Sequence, residues 1–138
     1  MIYVYVAGPF TAKPEEIMLE LSSRACTQNN REAAARKVTD RNILRAKLLG
    51  VEVAKLGACP IIPHANTDHP DFERVQPYEF WIKATLGMLR MCDAIIMLPR
   101  WETSSGARGE HKAAAPNLPI FYDVESLKVW LEERKVPL

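Results

Sequence analysis

Charge of one sign is missing from this sequence: 18 Lys and Arg against 17 Asp and Glu leave a formal net charge of +1 over 138 residues. A surface so nearly balanced gives no general attraction for nucleic acid or for an anionic membrane, and neither partner is expected. Cysteine is scarce as well. Cys26, Cys59 and Cys92 are odd in number, form no CxxC pair and have no His at zinc-ligand spacing. This argues against a disulfide framework or a zinc site and fits free thiols in a reducing cytoplasm. Long apolar runs are absent too. The opening "MIYVYVAGPF" has no basic leader and is too short to span a bilayer, so it reads as a strand and not as a signal peptide. No GxGxxG follows it, which argues against a dinucleotide-dependent dehydrogenase. No segment repeats. What is left is one soluble cytoplasmic domain of ordinary composition, with no metal or cofactor expected.

What is present is a regular alternation. Ile2 to Ala7 are β-branched, aromatic or apolar and stop at Gly8-Pro9, the pattern of a strand buried on both faces. Asp40 is an N-cap candidate, after which Ile43, Leu44, Leu48, Val51 and Leu56 recur at helical spacing and Gly57 stops the run. "ACPII" gives a second strand, "PHANTDHPDFERVQP" a polar loop, and Tyr78 to Met91 a helix. "CDAIIMLP" is a third buried strand, "SSGARGEHKAAA" opens a helix, and "LPIFY" is a fourth strand. "DVESLKVWLEERK" closes as an amphipathic helix with Val124, Leu127, Val129, Trp130 and Leu131 towards the core. The alternation predicts a single α/β domain over 1–138: a flavodoxin-like or Rossmann-like parallel sheet of four or five strands with helices on both faces. Residues 12–39 stand apart as a helical insertion after the first strand. It is helical from Glu15 to Cys26, broken at "TQNN" and resumed in the basic "REAAARKV". Lid, interface and solvated connector are open readings of it.

Ligands of such sheets bind beyond the carboxyl ends of the strands, where the strand order reverses. The loops "AGPFT", "PHANTDHP" and "PRWETSSGARGE" meet there. Gly8 permits close backbone approach, and Pro9 stiffens the turn before Phe10. Ser104, Ser105 and Gly106 start a helix whose free N–H groups suit a phosphate, although a serine there is more often just a cap. Glu110 lies about one and a half turns further in. Its side chain leans back towards the helix start, and Gly106, Ala107, Gly109 and Ala113 leave room around it. Helical glutamates ordinarily face water, so spacing permits a role for Glu110 without assigning one. Trp101 suits stacking on a base or plugging the end of the sheet. His64 follows Pro63 into the same region, and Asp93 suits fixing a loop better than chemistry. Arg24, Arg31, Arg36, Lys37, Arg41 and Arg45 read as a solvated helical face.

The blocks "YVAGPF", "IIPHA", "CDAIIMLPRWETSSGARGEHKAA" and "LPIF" together resemble the nucleoside 2-deoxyribosyltransferase-like superfamily. Its members include nucleoside deoxyribosyltransferases and nucleotide N-glycosidases that cleave 5'-monophosphates. The match is best to a bacterial and phage branch related to those N-glycosidases, with the signature D-x-x-x-x-L-P-x-W-x-x-S-x-G-A-x-x-E. It covers residues 1–11 and roughly 40–123.

This resemblance implies that Glu110 is the nucleophile on the anomeric carbon and that Tyr5 helps to position it. Gly8 matches the glycine of the first loop. Ser104 stands where nucleoside-specific members carry an Asp and nucleotide-specific members a Ser beside the phosphate. A nucleotide or nucleoside is therefore the implied partner, bound by Gly8, Pro9, Phe10, His64 and Trp101 and by the Ser104–Gly106 turn. A homo-oligomer is implied as well. The implied reaction is cleavage or exchange of an N-glycosidic bond, and the alternative is a nucleotide-binding module without turnover. One position departs from the pattern. Thr85 stands where members carry an Asp that protonates the leaving base, and a threonine is no acid near neutral pH. His64, Asp68, His69, Asp71 and Glu102 are the candidate substitutes.

Overall fold

Alternation along the first strand decides which helix meets which face of the sheet. Val4 and Val6 of β1 (Tyr3–Ala7) point one way and Tyr5 and Ala7 the other, and all four are fully buried. The computed structural model describes residues 1–135. In it, β1 pairs in parallel with β2 (Cys59–Ile61) on one side and with β3 (Ala94–Met97) on the other, and β3 pairs with β4 (Ile120–Phe121). The order β2-β1-β3-β4, all parallel, is the flavodoxin-like arrangement that the alternation predicts.

Seven α-helices connect and cover these strands among the described residues: α1 (Pro14–Leu21), α2 (Gln28–Lys55), α3 (Pro63–Thr67), α4 (Pro70–Val75), α5 (Tyr78–Arg90), α6 (Ser105–Ala114) and α7 (Val124–Glu133). Ala46 and Val53 of α2, with Leu127 and Leu131 of α7, pack on the Val4, Val6 and Ile96 face. Leu89 of α5, with Ala107 and Ala114 of α6, packs on the Tyr5, Ala7 and Ile95 face. Glu110 on α6 and Tyr5 on β1 therefore share a side of the sheet. Asp93 joins β1 to β3: its Oδ2 accepts from the Tyr3 N–H, and its own N–H donates to the Tyr3 carbonyl, each at 2.8 Å. No helix of the described residues is long and apolar enough to cross a membrane.

Several local expectations are corrected. Asp40 caps nothing. The helix starts at Gln28, where the Thr27 side chain accepts from the Asn30 N–H, and continues unbroken through Asp40 to Lys55. Good helix formers fill "REAAARK", and Asp40 pairs with Arg36 one turn back, so nothing in the interior stops propagation. The 12–39 segment is thus α1 plus the first part of α2, and α1 ends at Leu21 rather than Cys26. Of the α2 positions read as periodic, Ile43 is buried, whereas Leu44, Leu48 and Val51 are exposed. The buried stripe runs instead through Ala34, Val38, Ala46, Gly50 and Val53. At Gly50 a Cβ would fall 2.6 Å from Ile62 Cδ1, so the end of that side chain would have to move to admit one. The polar loop after β2 contains α3 and α4, each with proline in its first turn. Val129 of α7 is exposed.

Candidate active site

The first loop is clamped between β3 and α3. The Leu98 N–H donates to the Ala7 carbonyl at 2.8 Å, which brings Leu98 so close that a Cβ on Gly8 would stand 2.5 Å from its Cδ1 and 2.6 Å from its Cβ. From the other side comes His64, only 4 % exposed. Its Nε2 lies 3.1 Å from the Gly8 carbonyl and 3.0 Å from that of Pro9. Carbonyls only accept, so Nε2 carries the proton and donates to both. Nδ1 is left as a buried acceptor with no partner among the described residues. Burial holds the imidazole pKa below its ordinary value, partly offset by the two carbonyls. Phe10 meets the His64 ring edge to face, with centroids 5.4 Å apart. The Phe10 carbonyl accepts from Nδ2 of the buried Asn42 at 3.0 Å.

The third loop ends in a capped helix. A short 3-10 turn, Trp101–Thr103, leads to Ser104, whose hydroxyl oxygen accepts from the Ala107 N–H at 3.2 Å. The N–H groups of Ser105 and Gly106 have no acceptor among the described residues and mark the positive end of α6. Further in, Glu110 Oε2 is buried without a hydrogen-bond partner, and so is the Tyr5 hydroxyl. The two groups face one another closely enough for the hydroxyl to lower the Glu110 pKa, yet no hydrogen bond closes between them. Burial is the stronger influence and pushes the carboxyl up to about 7. The Tyr5 pKa is raised, by burial first and by the charge of Glu110 second, and the nearby Thr85 hydroxyl eases that rise.

These groups line one cleft of about 660 Å³ at the carboxyl ends of β1 and β3. Tyr5, Gly8, Pro9, Phe10, His64, Ser104, Ser105, Gly106 and Glu110 all border it, so nine of the ten sequence-predicted positions come together. Trp101 does not. It stacks flat on His111, with centroids 4.2 Å apart and planes 14° apart, and packs against the core beside Leu118 and Ile120. It plugs the end of the sheet. Trp101→Ala is therefore expected to cost about 1–3 kcal/mol in a urea melt. A variant that melts with wild type would show that the ring is not packed there.

Among the substitutes for a leaving-group acid, only His64 reaches the cleft. Asp68 pairs with Arg36, His69 caps α4 by accepting from the Asp71 N–H, Asp71 pairs with Arg74, and Glu102 is exposed outside the lining. The Thr85 hydroxyl, which does line the cleft, donates to the Ile82 carbonyl at 3.0 Å. The wall that α4 and α5 contribute was missed: Phe72, Glu73, Tyr78 and Trp81. Tyr78, Trp81 and Thr85 recur at one-turn spacing, so the face of α5 that carries Thr85 could have found two of them. Lys13 and Arg108 also line the cleft, two cations against the carboxylates of Glu73 and Glu110. Buried acceptors and a donor on the floor, aromatics on one wall and a helix N-terminus on another suit a ligand with an anionic group, a polar middle and a flat apolar end.

No curated protein matches the chain. A family model described as "Domain of unknown function (DUF4406)" matches residues 2–122, which takes in all four strands and every residue of the cleft, and the chain belongs to that family.

Proposed function

We propose that the protein cleaves or exchanges the N-glycosidic bond of a nucleoside 5'-monophosphate, with Glu110 as nucleophile. One observation carries this: the Glu110 carboxylate is buried against the Tyr5 hydroxyl on the floor of a cleft that opens at the capped start of α6. The resemblance to nucleoside 2-deoxyribosyltransferases and nucleotide N-glycosidases supports the same two roles. The phosphate sits on the free N–H groups of Ser105 and Gly106, and the base lies against Trp81 and Phe72. Ionised Glu110 attacks the anomeric carbon. A carboxylate-oxygen-to-carbon bond forms as the carbon–nitrogen bond breaks, and its electron pair leaves on the base, which takes up a proton. Water, or a second base, then displaces the carboxylate. Tyr5, with its raised pKa, stays protonated beside that carboxylate throughout. Glu73, the other carboxylate that lines the cleft, is exposed, and the departing base takes its proton from solvent. Because the nucleophile must be ionised, kcat/KM rises with pH through about 7 and levels above it.

A module that holds nucleotide without turnover is the second reading, favoured by Thr85. A panel of ribo- and deoxyribonucleoside monophosphates, with and without an acceptor base, separates the two by chromatography of released base. Release that disappears in Glu110→Ala supports the enzyme. A thermal shift with no release from any member makes the protein a binder.

A further inference from the structure

Beside the cleft lies a second one of about 450 Å³, between the start of α1, the middle of α2 and the loop after β3. The two share Pro9, Lys13 and Thr103. Thr103 immediately precedes the Ser104 cap, so the wall that the two clefts share lies next to the start of α6. The second cleft is basic. Lys13, Arg45 and Arg100 line it, and none of the three has a carboxylate within ion-pair distance among the described residues. Among the described residues Arg36 pairs with Asp40 and Asp68, Arg41 with Glu20, Arg74 with Asp71 and Arg134 with Glu133, whereas Arg24, Arg31, Arg90 and Arg108, like the cations of this cleft, have no carboxylate in reach. The only carboxylate on this wall, Glu16, accepts from the Lys13 N–H at 3.0 Å. Arg100 is held in the left-handed region at φ 68°, where glycine is the easier residue, so a guanidinium is kept at this corner against local backbone preference. On the opposite wall buried Asn42 fixes the Phe10 loop and sets its Oδ1 3.4 Å from an Arg45 nitrogen.

We infer that this second cleft is an anion subsite adjoining the first, and that the site takes, besides a nucleoside 5'-monophosphate, a nucleotide with a second phosphate, as a nucleoside 5'-diphosphate has. The inference deepens the nucleotide reading and rests on it. A phosphate on the α6 N-terminus directs a following phosphate past Thr103 and Lys13 towards Arg45 and Arg100, which form charge-assisted hydrogen bonds with it.

Titration calorimetry of the full chain with paired nucleoside 5'-mono- and 5'-diphosphates, and with inorganic pyrophosphate, tests this in wild type and in Arg45→Gln/Arg100→Gln. Neither arginine borders the first cleft. The diphosphate is expected to bind about tenfold or more tightly than the monophosphate. The double variant should lose that margin and keep monophosphate affinity. Arg45→Gln with Arg100→Gly, which relaxes the backbone at that corner, should do the same. Equal binding of the two nucleotides to wild type, or equal weakening of both in the variants, overturns the subsite. Pyrophosphate bound through Arg45 and Arg100 in a protein that binds no nucleotide upholds the subsite and overturns the nucleotide reading instead. Absence of pyrophosphate and nucleotide binding alike overturns both.

Discussion

Replacing Glu110 by Gln is expected to remove base release, by on the order of 10³-fold or more, and to make the protein more stable above neutral pH. The two effects have one origin. A solvated glutamate titrates near 4.5, whereas burial pushes Glu110 up to about 7 in the fold. Below pH 4.5 the group is protonated in both folded and unfolded chains and leaves stability untouched. Between pH 4.5 and 7 the unfolded chain gives up its proton first, and the fold loses stability steadily. Above 7 the loss is complete, on the order of 3 kcal/mol at about 1.4 kcal/mol for each pH unit the pKa moves. Gln has the same shape and no charge to desolvate. Its melting temperature should match wild type at pH 4 and exceed it by roughly 5 °C or more at pH 8. Equal melting at pH 8 would show that the carboxylate is solvated, and a glutamine variant that still released base would remove it as nucleophile.

Gly8→Ala is the second large effect, and here the cause is steric. The new Cβ meets not only the flexible end of Leu98 but its Cβ, at 2.6 Å, which cannot swing aside. The first loop must lift instead, carrying the Gly8 and Pro9 carbonyls away from His64 Nε2 and shifting Phe10. Overpacking of this kind costs about 1–3 kcal/mol, and a displacement of about 1 Å at a reacting centre costs about a hundredfold in rate. Gly87→Ala in α5 is the matched control. Its Cβ would meet nothing within 4 Å, and the substitution should stabilise by up to about 1 kcal/mol. Urea melts of both variants decide the matter. A Gly8→Ala protein that melts with wild type would mean that the loop is not clamped by Leu98.

The strands were legible because three of the four are short apolar runs ended by Gly or Pro, and the parallel sheet because strands alternate with helices; their order was not assigned from the sequence. The Tyr5–Glu110 pairing was legible only through the resemblance, since period two along β1 says that Tyr5 and Val6 face apart but not which side meets α6. Asp40 misled for a physical reason. An aspartate that starts a helix and one that pairs with an arginine a turn back look alike in sequence, and only Arg36 distinguishes them. Trp101 misled because its partner, His111, is the residue next to Glu110 but about 100° further round α6, off the cleft lining. The α4 part of the cleft wall was hidden by a proline-bearing stretch that reads as loop until tertiary contact makes the short helices α3 and α4 of it.

The strand order has a consequence outside the cleft. The two outermost strands are only three and two residues long, and β2 contains Pro60. The Cys59 N–H is spent inwards on the Ile2 carbonyl, so Pro60 occupies the position whose donor would have faced outwards. A foreign strand approaching that border finds almost no backbone to template on, which guards the nascent or crowded chain against growth into β-aggregates without spending a single surface charge.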